Sequence, residues 1–130
     1  MTEINITEPA LLIRTSRLFN EGMTARQLYD ITRGVWKIGK DREKAEYAFC
    51  VAKGVVQEIY SIQEWQPAGS TPYGPPQQDA NIKDGRWDGR WEFIGKVAPE
   101  TIRNKYIGRS VAHYFARGNA YPINYVNIKA

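Results

Sequence analysis

Residues 47–65 read YAFCVAKGVVQEIYSIQEW, and the reading of this stretch decides the fold. Two runs dense in β-branched, aromatic and small apolar residues are broken once, at Lys53-Gly54. As a strand, the first run sends Tyr47, Phe49 and Val51 one way and Ala48, Cys50 and Ala52 the other. Both sides are apolar, which predicts an interior strand covered on two faces. In the second run, strict alternation puts Val55 and Ile59 on a face with Trp65, and Val56, Tyr60 and Ile62 on the opposite face. Gly54 and the β-branched Val55, Val56, Ile59 and Ile62 disfavour a helix. A long antiparallel pair, coated on both faces, suits the wall of a small curved sheet or barrel.

On the N-terminal side, ALLIRT at 10–15 predicts a first strand, and residues 16–23, with Asn20 and Gly22, a loop. Thr24 is a good N-cap for a helix over 25–33, stopped by Gly34, with Leu28, Tyr29 and Ile31 on its buried side. VWKIG at 35–39 reads as short and extended, and KDREK at 40–44 as a loop or single turn. On the C-terminal side, residues 66–84 hold Pro67, Pro72, Pro75, Pro76, Gly69 and Gly74, the composition of a mobile surface loop. WEFIGKV at 91–97 predicts a strand, and Pro99 and Glu100 open a helix over 100–106 that ends at Gly108. Ser110 caps a second helix, with Val111, Tyr114 and Phe115 at core spacing and Gly118 as its stop. A strand over 121–128 closes the chain. The order predicts a single α+β domain over 1–130, a small curved, mainly antiparallel, barrel-like sheet with about three short helices.

The chain has 130 residues, 42% of them apolar and 25% charged, ordinary values for one globular domain. No run of eighteen apolar residues occurs and the N-terminus has no basic, apolar leader, so neither a membrane span nor a signal peptide is expected. The lone Cys50 reads as a buried small hydrophobe in a reducing, cytoplasmic setting. The net charge of +4 is unevenly spread. Residues 33–53 carry six Lys or Arg against three acids, residues 54–82 three acids and no base, and residues 83–130 nine bases against four acids. A domain with one basic side can orient a polyanion.

Enzyme signatures are missing: His113 is the only histidine, no metal-ligand spacing occurs, and phosphate-cradling glycine loops and nucleophile elbows are lacking. No catalytic residue, metal or cofactor is therefore expected. The aromatics say more. Four tryptophans, eight tyrosines and four phenylalanines exceed the needs of a small core. Trp36 is flanked by Arg33, Lys37, Lys40 and Arg42, and Trp87 and Trp91 alternate with Arg86 and Arg90. Aromatic faces beside Lys and Arg are how single-stranded or flipped bases are held. Trp65, before the loop, is placed for the rim of a pocket, and Trp87, in a turn, is the tryptophan most expected to be exposed.

The segments TRGVWKIGKDREKAEYAFCVAKGVVQEIY (32–60), RWEFIGKVA (90–98) and IRNKYIGRSVAHYFARGNAYPINYVN (102–127) resemble a bacterial and phage domain found behind GIY-YIG nuclease domains. Tyr121-Pro122-Ile123 stands where that pattern has Asn-Pro-Ile. The order of elements is similar to the PUA-like superfamily, which includes the EVE and ASCH domains. The resemblance implies a non-catalytic module that binds RNA or modified DNA, with a base in an aromatic pocket, and a nuclease or other enzyme as partner. On residue type and position, Trp36 and Trp65 are expected to line the pocket, Arg33, Lys37, Lys40 and Arg42 to hold phosphates, and Arg109, His113 and Asn119 to contribute polar contacts from the other side. The alternative is a protein-interaction or regulatory module acting through the Pro-rich loop. Deleting residues 70–78 is expected to separate the two.

Overall fold

A computed structural model of the chain describes residues 4–74, 87–115 and 121–128. Five strands, β1 (Ala10–Arg14), β2 (Tyr47–Ala52), β3 (Val55–Pro67), β4 (Trp91–Val97) and β5 (Ile123–Val126), form one sheet in the order β4-β3-β2-β1-β5. The sheet is open, with β4 and β5 at its edges, and this corrects the barrel-like expectation. It is mixed: β1 and β2 are parallel, and the other three pairings are antiparallel. The parallel pair follows from the helix between them, since strands joined by a helical crossover return in the same direction.

That helix, α1 (Ala25–Arg33), starts at the expected residue. Thr24 Oγ1 accepts from the Gln27 backbone N–H at 3.1 Å, and Gln27 Oε1 accepts from the Thr24 N–H at 2.9 Å. This reciprocal box satisfies two helix-end donors. The second helix, α2 (Glu100–Tyr106), begins after Pro99 and is pinned by Arg103, whose guanidinium donates to both Glu58 oxygens at 2.8 and 3.2 Å. The expected third helix is a single 3₁₀ turn, Ala112–Tyr114, and KDREK is likewise one 3₁₀ turn, Lys40–Lys44. Among the described residues, no helix is long and apolar enough to cross a membrane.

Each face of the sheet has its own core. On one face Leu12, Phe49, Val51, Val56 and Ile59 pack with Tyr106 of α2 and with Val111. On the other, Leu11, Ile13, Cys50, Tyr60 and Phe93 are covered by Leu28 and Tyr29 of α1. Burial raises the Cys50 thiol pKa, which keeps it protonated and inert. Strand β3 departs from strict alternation twice. Cys50 pairs with Glu58 but Val51 with Val56, and Ile62 pairs with Gly95 but Glu64 with Ile94. The extra residues, Gln57 and Gln63, are bulges, and each reverses the side-chain parity that follows. Val56 and Ile59 therefore share the α2 face, while Tyr60, Ile62 and Trp65 share the α1 face. Lys53 and Gly54 both take positive φ, 56° and 76°, as a two-residue hairpin turn requires.

Candidate functional site

Two arginines near the α1 face end in opposite circumstances. Arg33 closes α1, and its residue is only 1% exposed. Its Nε donates to Asp30 at 2.9 Å, Nη1 to Thr71 Oγ1 at 2.6 Å and to Glu92 at 3.3 Å, and Nη2 to the Pro72 carbonyl at 2.9 Å. The guanidinium also lies 3.8 Å from the centre of the Tyr73 ring. Glu92, on β4 and fully buried, accepts from Thr71 Oγ1 at 2.5 Å, the Gly69 N–H at 2.8 Å, the Tyr73 hydroxyl at 3.1 Å and Gln66 Nε2 at 3.4 Å. Burial raises the Tyr73 phenol pKa well above its ordinary range. A β-carbon on Gly34 would strike the Tyr73 hydroxyl, so the backbone passes here only because that residue is glycine.

This cluster overturns the expectation that Arg33 holds phosphates. Its donors are committed to two buried carboxylates, a hydroxyl and a carbonyl, which is what desolvating a charge demands. The cluster also fastens the first part of the Pro-rich segment to the core, since Gln66, Gly69, Thr71, Pro72 and Tyr73 all take part. Deleting residues 70–78 would strip Glu92 of two donors, so that deletion perturbs the fold as well as the loop. The rest of that segment, 75–84, lies outside the described residues. Trp87, expected to be exposed, is 6% exposed and packs edge-on against Tyr73, with Val35 beside them.

Arg42 sits in the 3₁₀ turn of residues 40–44, and is 8% exposed. Its guanidinium stacks 3.6 Å from the centre of the Trp91 ring. Trp91 is held there by a two-way backbone bridge to Trp36, at 2.9 and 2.8 Å. Polar partners for Arg42 are few. Nη1 reaches the Ile38 carbonyl at 3.5 Å, and Nε stands 3.5 Å from the Glu43 carboxylate with no hydrogen-bond partner. Lys37 and Lys40 are exposed on the same segment. Across from them, β5 and the residue before Pro122 present Tyr125 and Tyr121, 38% and 44% exposed. The Tyr121 hydroxyl donates to the Lys37 carbonyl, and the Tyr125 hydroxyl lies beside the Gly39 backbone, within electrostatic range of Asp41 and Arg42.

The other expected site residues divide. Trp36 is half-buried and its Nε1 donates to the Thr32 carbonyl at 2.8 Å, so the indole is anchored to α1. Trp65 packs edge-on against Phe93 with ring centres 5.4 Å apart, and its Nε1 is buried without a partner. Both rings lean on the α1-side core, with only part of each surface open. Arg109 and His113 belong to the opposite face: the Arg109 carbonyl accepts from Val56, and His113 lies beside Tyr114 with ring centres 4.5 Å apart. The sheet separates them from Trp36, Lys37, Lys40 and Arg42, so they do not complete one pocket. Asn119 lies outside the described residues. Sequence reasoning misses Tyr121 and Tyr125, and it sets Trp91 beside Arg86 and Arg90 and not beside Arg42. The alternation of YPINY, which sends Tyr121 and Tyr125 to one face, is the signal that could have found the two tyrosines.

Among the described residues, no group of His, Cys, Asp and Glu is placed to hold a metal ion. Comparison of the chain with protein-family models, with curated proteins and with solved structures found no match.

Proposed function

We propose that this chain is a non-catalytic nucleic-acid-binding module, for RNA or modified DNA, that works through the surface formed by residues 36–44 and β5. One observation carries the reading: Lys37, Lys40 and Arg42 lie on a segment that also bears Trp36 and faces the exposed rings of Tyr121 and Tyr125. Cations supply attraction to phosphates irrespective of sequence, and aromatic faces supply stacking for bases. The resemblance to the domain behind GIY-YIG nucleases points the same way, and makes a nuclease the natural partner. In this reading the open sheet is a divergent PUA-like architecture.

The test is a titration of DNA and RNA oligonucleotide pools against salt. Affinity should fall with a log–log slope of about −0.7 per phosphate neutralised on single strands, or about −0.9 on duplex. Lys40→Ala should flatten that slope by roughly one phosphate. No binding to any pool at low salt, or an affinity indifferent to salt, would sink the proposal.

A further inference from the structure

We infer that Arg42, held over the Trp91 ring, donates to a backbone phosphate of a single-stranded nucleic acid whose neighbouring bases stack on Tyr121 and Tyr125. This rests on the nucleic-acid reading above and names the ligand's form and the atoms that hold it.

A guanidinium offers five N–H groups in one plane and no acceptor. Arg33 uses its set on Asp30, Glu92, Thr71 and Pro72. Arg42 is almost as deeply buried, yet among the described residues its one hydrogen bond is the 3.5 Å contact to Ile38, at the outer limit of such bonds. A buried cation left this short of acceptors is costly unless an anion completes it. With its guanidinium held 3.6 Å from the Trp91 ring centre, the fork is positioned for two-point contact with a phosphate.

Glu43 shows the direction from which an anion arrives. Its side chain is 60% exposed and its carboxylate stands 3.5 Å from Arg42 Nε, the atom without a hydrogen bond. So exposed a carboxylate is weakly held, and an incoming phosphate can displace it. Glu43 is thus a competitor for the site, and Asp41, near Tyr125, is a second acid on the same rim.

The single-stranded form follows from the tyrosines. Tyr121 and Tyr125 flank Ile123 and project to the face where Arg42 lies. Exposed rings on a sheet face accept unpaired bases, whereas a duplex keeps its bases stacked on one another. Phosphate at Arg42 and bases on the two rings can be engaged together only by a strand whose bases are free.

Binding of a labelled oligonucleotide of about twelve nucleotides, as DNA and as RNA, alone and annealed to its complement, tests the inference. The single strand should bind more tightly than the duplex. Arg42→Lys, which keeps the charge and loses the fork, should weaken it about ten- to hundredfold. Tyr125→Ala should cost about five- to hundredfold. Glu43→Gln should tighten binding, an effect that no loss of folding could imitate. Inorganic phosphate, followed by NMR, should move the Arg42 Nε–H resonance. A strand that binds equally well to wild type, Arg42→Lys and Glu43→Gln overturns this inference and leaves the nucleic-acid reading standing, as does equal affinity for duplex. Absence of any oligonucleotide binding at low salt overturns both.

Discussion

Arg33 and Arg42 are the same residue type, both over nine-tenths buried, both with a guanidinium within 4 Å of an aromatic ring centre. Around Arg33 the fold supplies two fully buried carboxylates, a hydroxyl and a carbonyl. Around Arg42 the described residues supply one distant carbonyl and one exposed, loosely placed carboxylate. Proximity to Trp and Lys in sequence, which made both look like phosphate ligands, does not distinguish them. The distinction lies in acceptors. A buried charge surrounded by its own acceptors holds structure together, and one short of them keeps donors to offer.

The comparison is broken most directly at Arg33. Arg33→Met leaves the buried Glu92 without a countercharge and Asp30 with only the exposed Arg26, and should cost about 3–5 kcal/mol in urea unfolding. A loss below about 1 kcal/mol would show that the cluster does not clamp the fold. Trp36→Ala comes next. Its indole is half-buried and tied to Thr32, so the change should sit near the low end of about 3–5 kcal/mol of lost stability. A variant as stable as wild type would return Trp36 to the list of free stacking surfaces.

Alkaline pH sharpens the inner half of the comparison. Burial raises the Tyr73 pKa above its unfolded value of about 10. A group whose folded pKa is raised contributes stability that is complete below the unfolded pKa and is lost as pH rises toward the folded one. Stability should therefore fall from about pH 10 upward, with Tyr73 adding a slope approaching about 1.4 kcal/mol per pH unit. Tyr60, raised by burial in the same direction, adds its own share. Tyr73→Phe should reduce the slope; an unchanged slope would mean that Tyr73 ionises as freely as in water. The smallest effect belongs to Arg42→Met. Its stem can be kept by Met and it has few bonds to lose, so stability should change by less than about 1 kcal/mol. A loss comparable to that of Arg33→Met would make Arg42 a second structural clamp.

Much of the fold was legible residue by residue. Thr24 announced the start of α1, Lys53-Gly54 the hairpin, and the two-sided apolar pattern of residues 47–52 the interior strand, because each depends on neighbours within a few positions. The bulges at Gln57 and Gln63 were not legible. Nothing in β3 itself requires them, and they appear only when the strand must keep register with β2 on one side and β4 on the other. The expected grouping of Val55, Ile59 and Trp65 failed for that reason. Trp87 failed differently: a turn position beside Arg86 and Asp88 looks exposed until Tyr73, fourteen residues earlier, is brought against it.

By itself, then, the sequence determined local geometry: caps, turns, strand positions, the buried Cys50 and the cationic, aromatic character of residues 33–44. Only the tertiary structure decided which cations are spent. Asp30 and Arg33 are neighbours on a helix, but Glu92 is 59 residues away from Arg33 and Thr71 is 38. It also decided that Arg109 and His113 lie across the sheet from Arg42, and that Tyr125 faces it. Hydrogen-bond satisfaction is a property of all groups within about 3 Å of an atom, and where β-strands pair across long loops those groups come from distant parts of the chain. A sequence window contains the donor; the fold alone brings the acceptor, or withholds it.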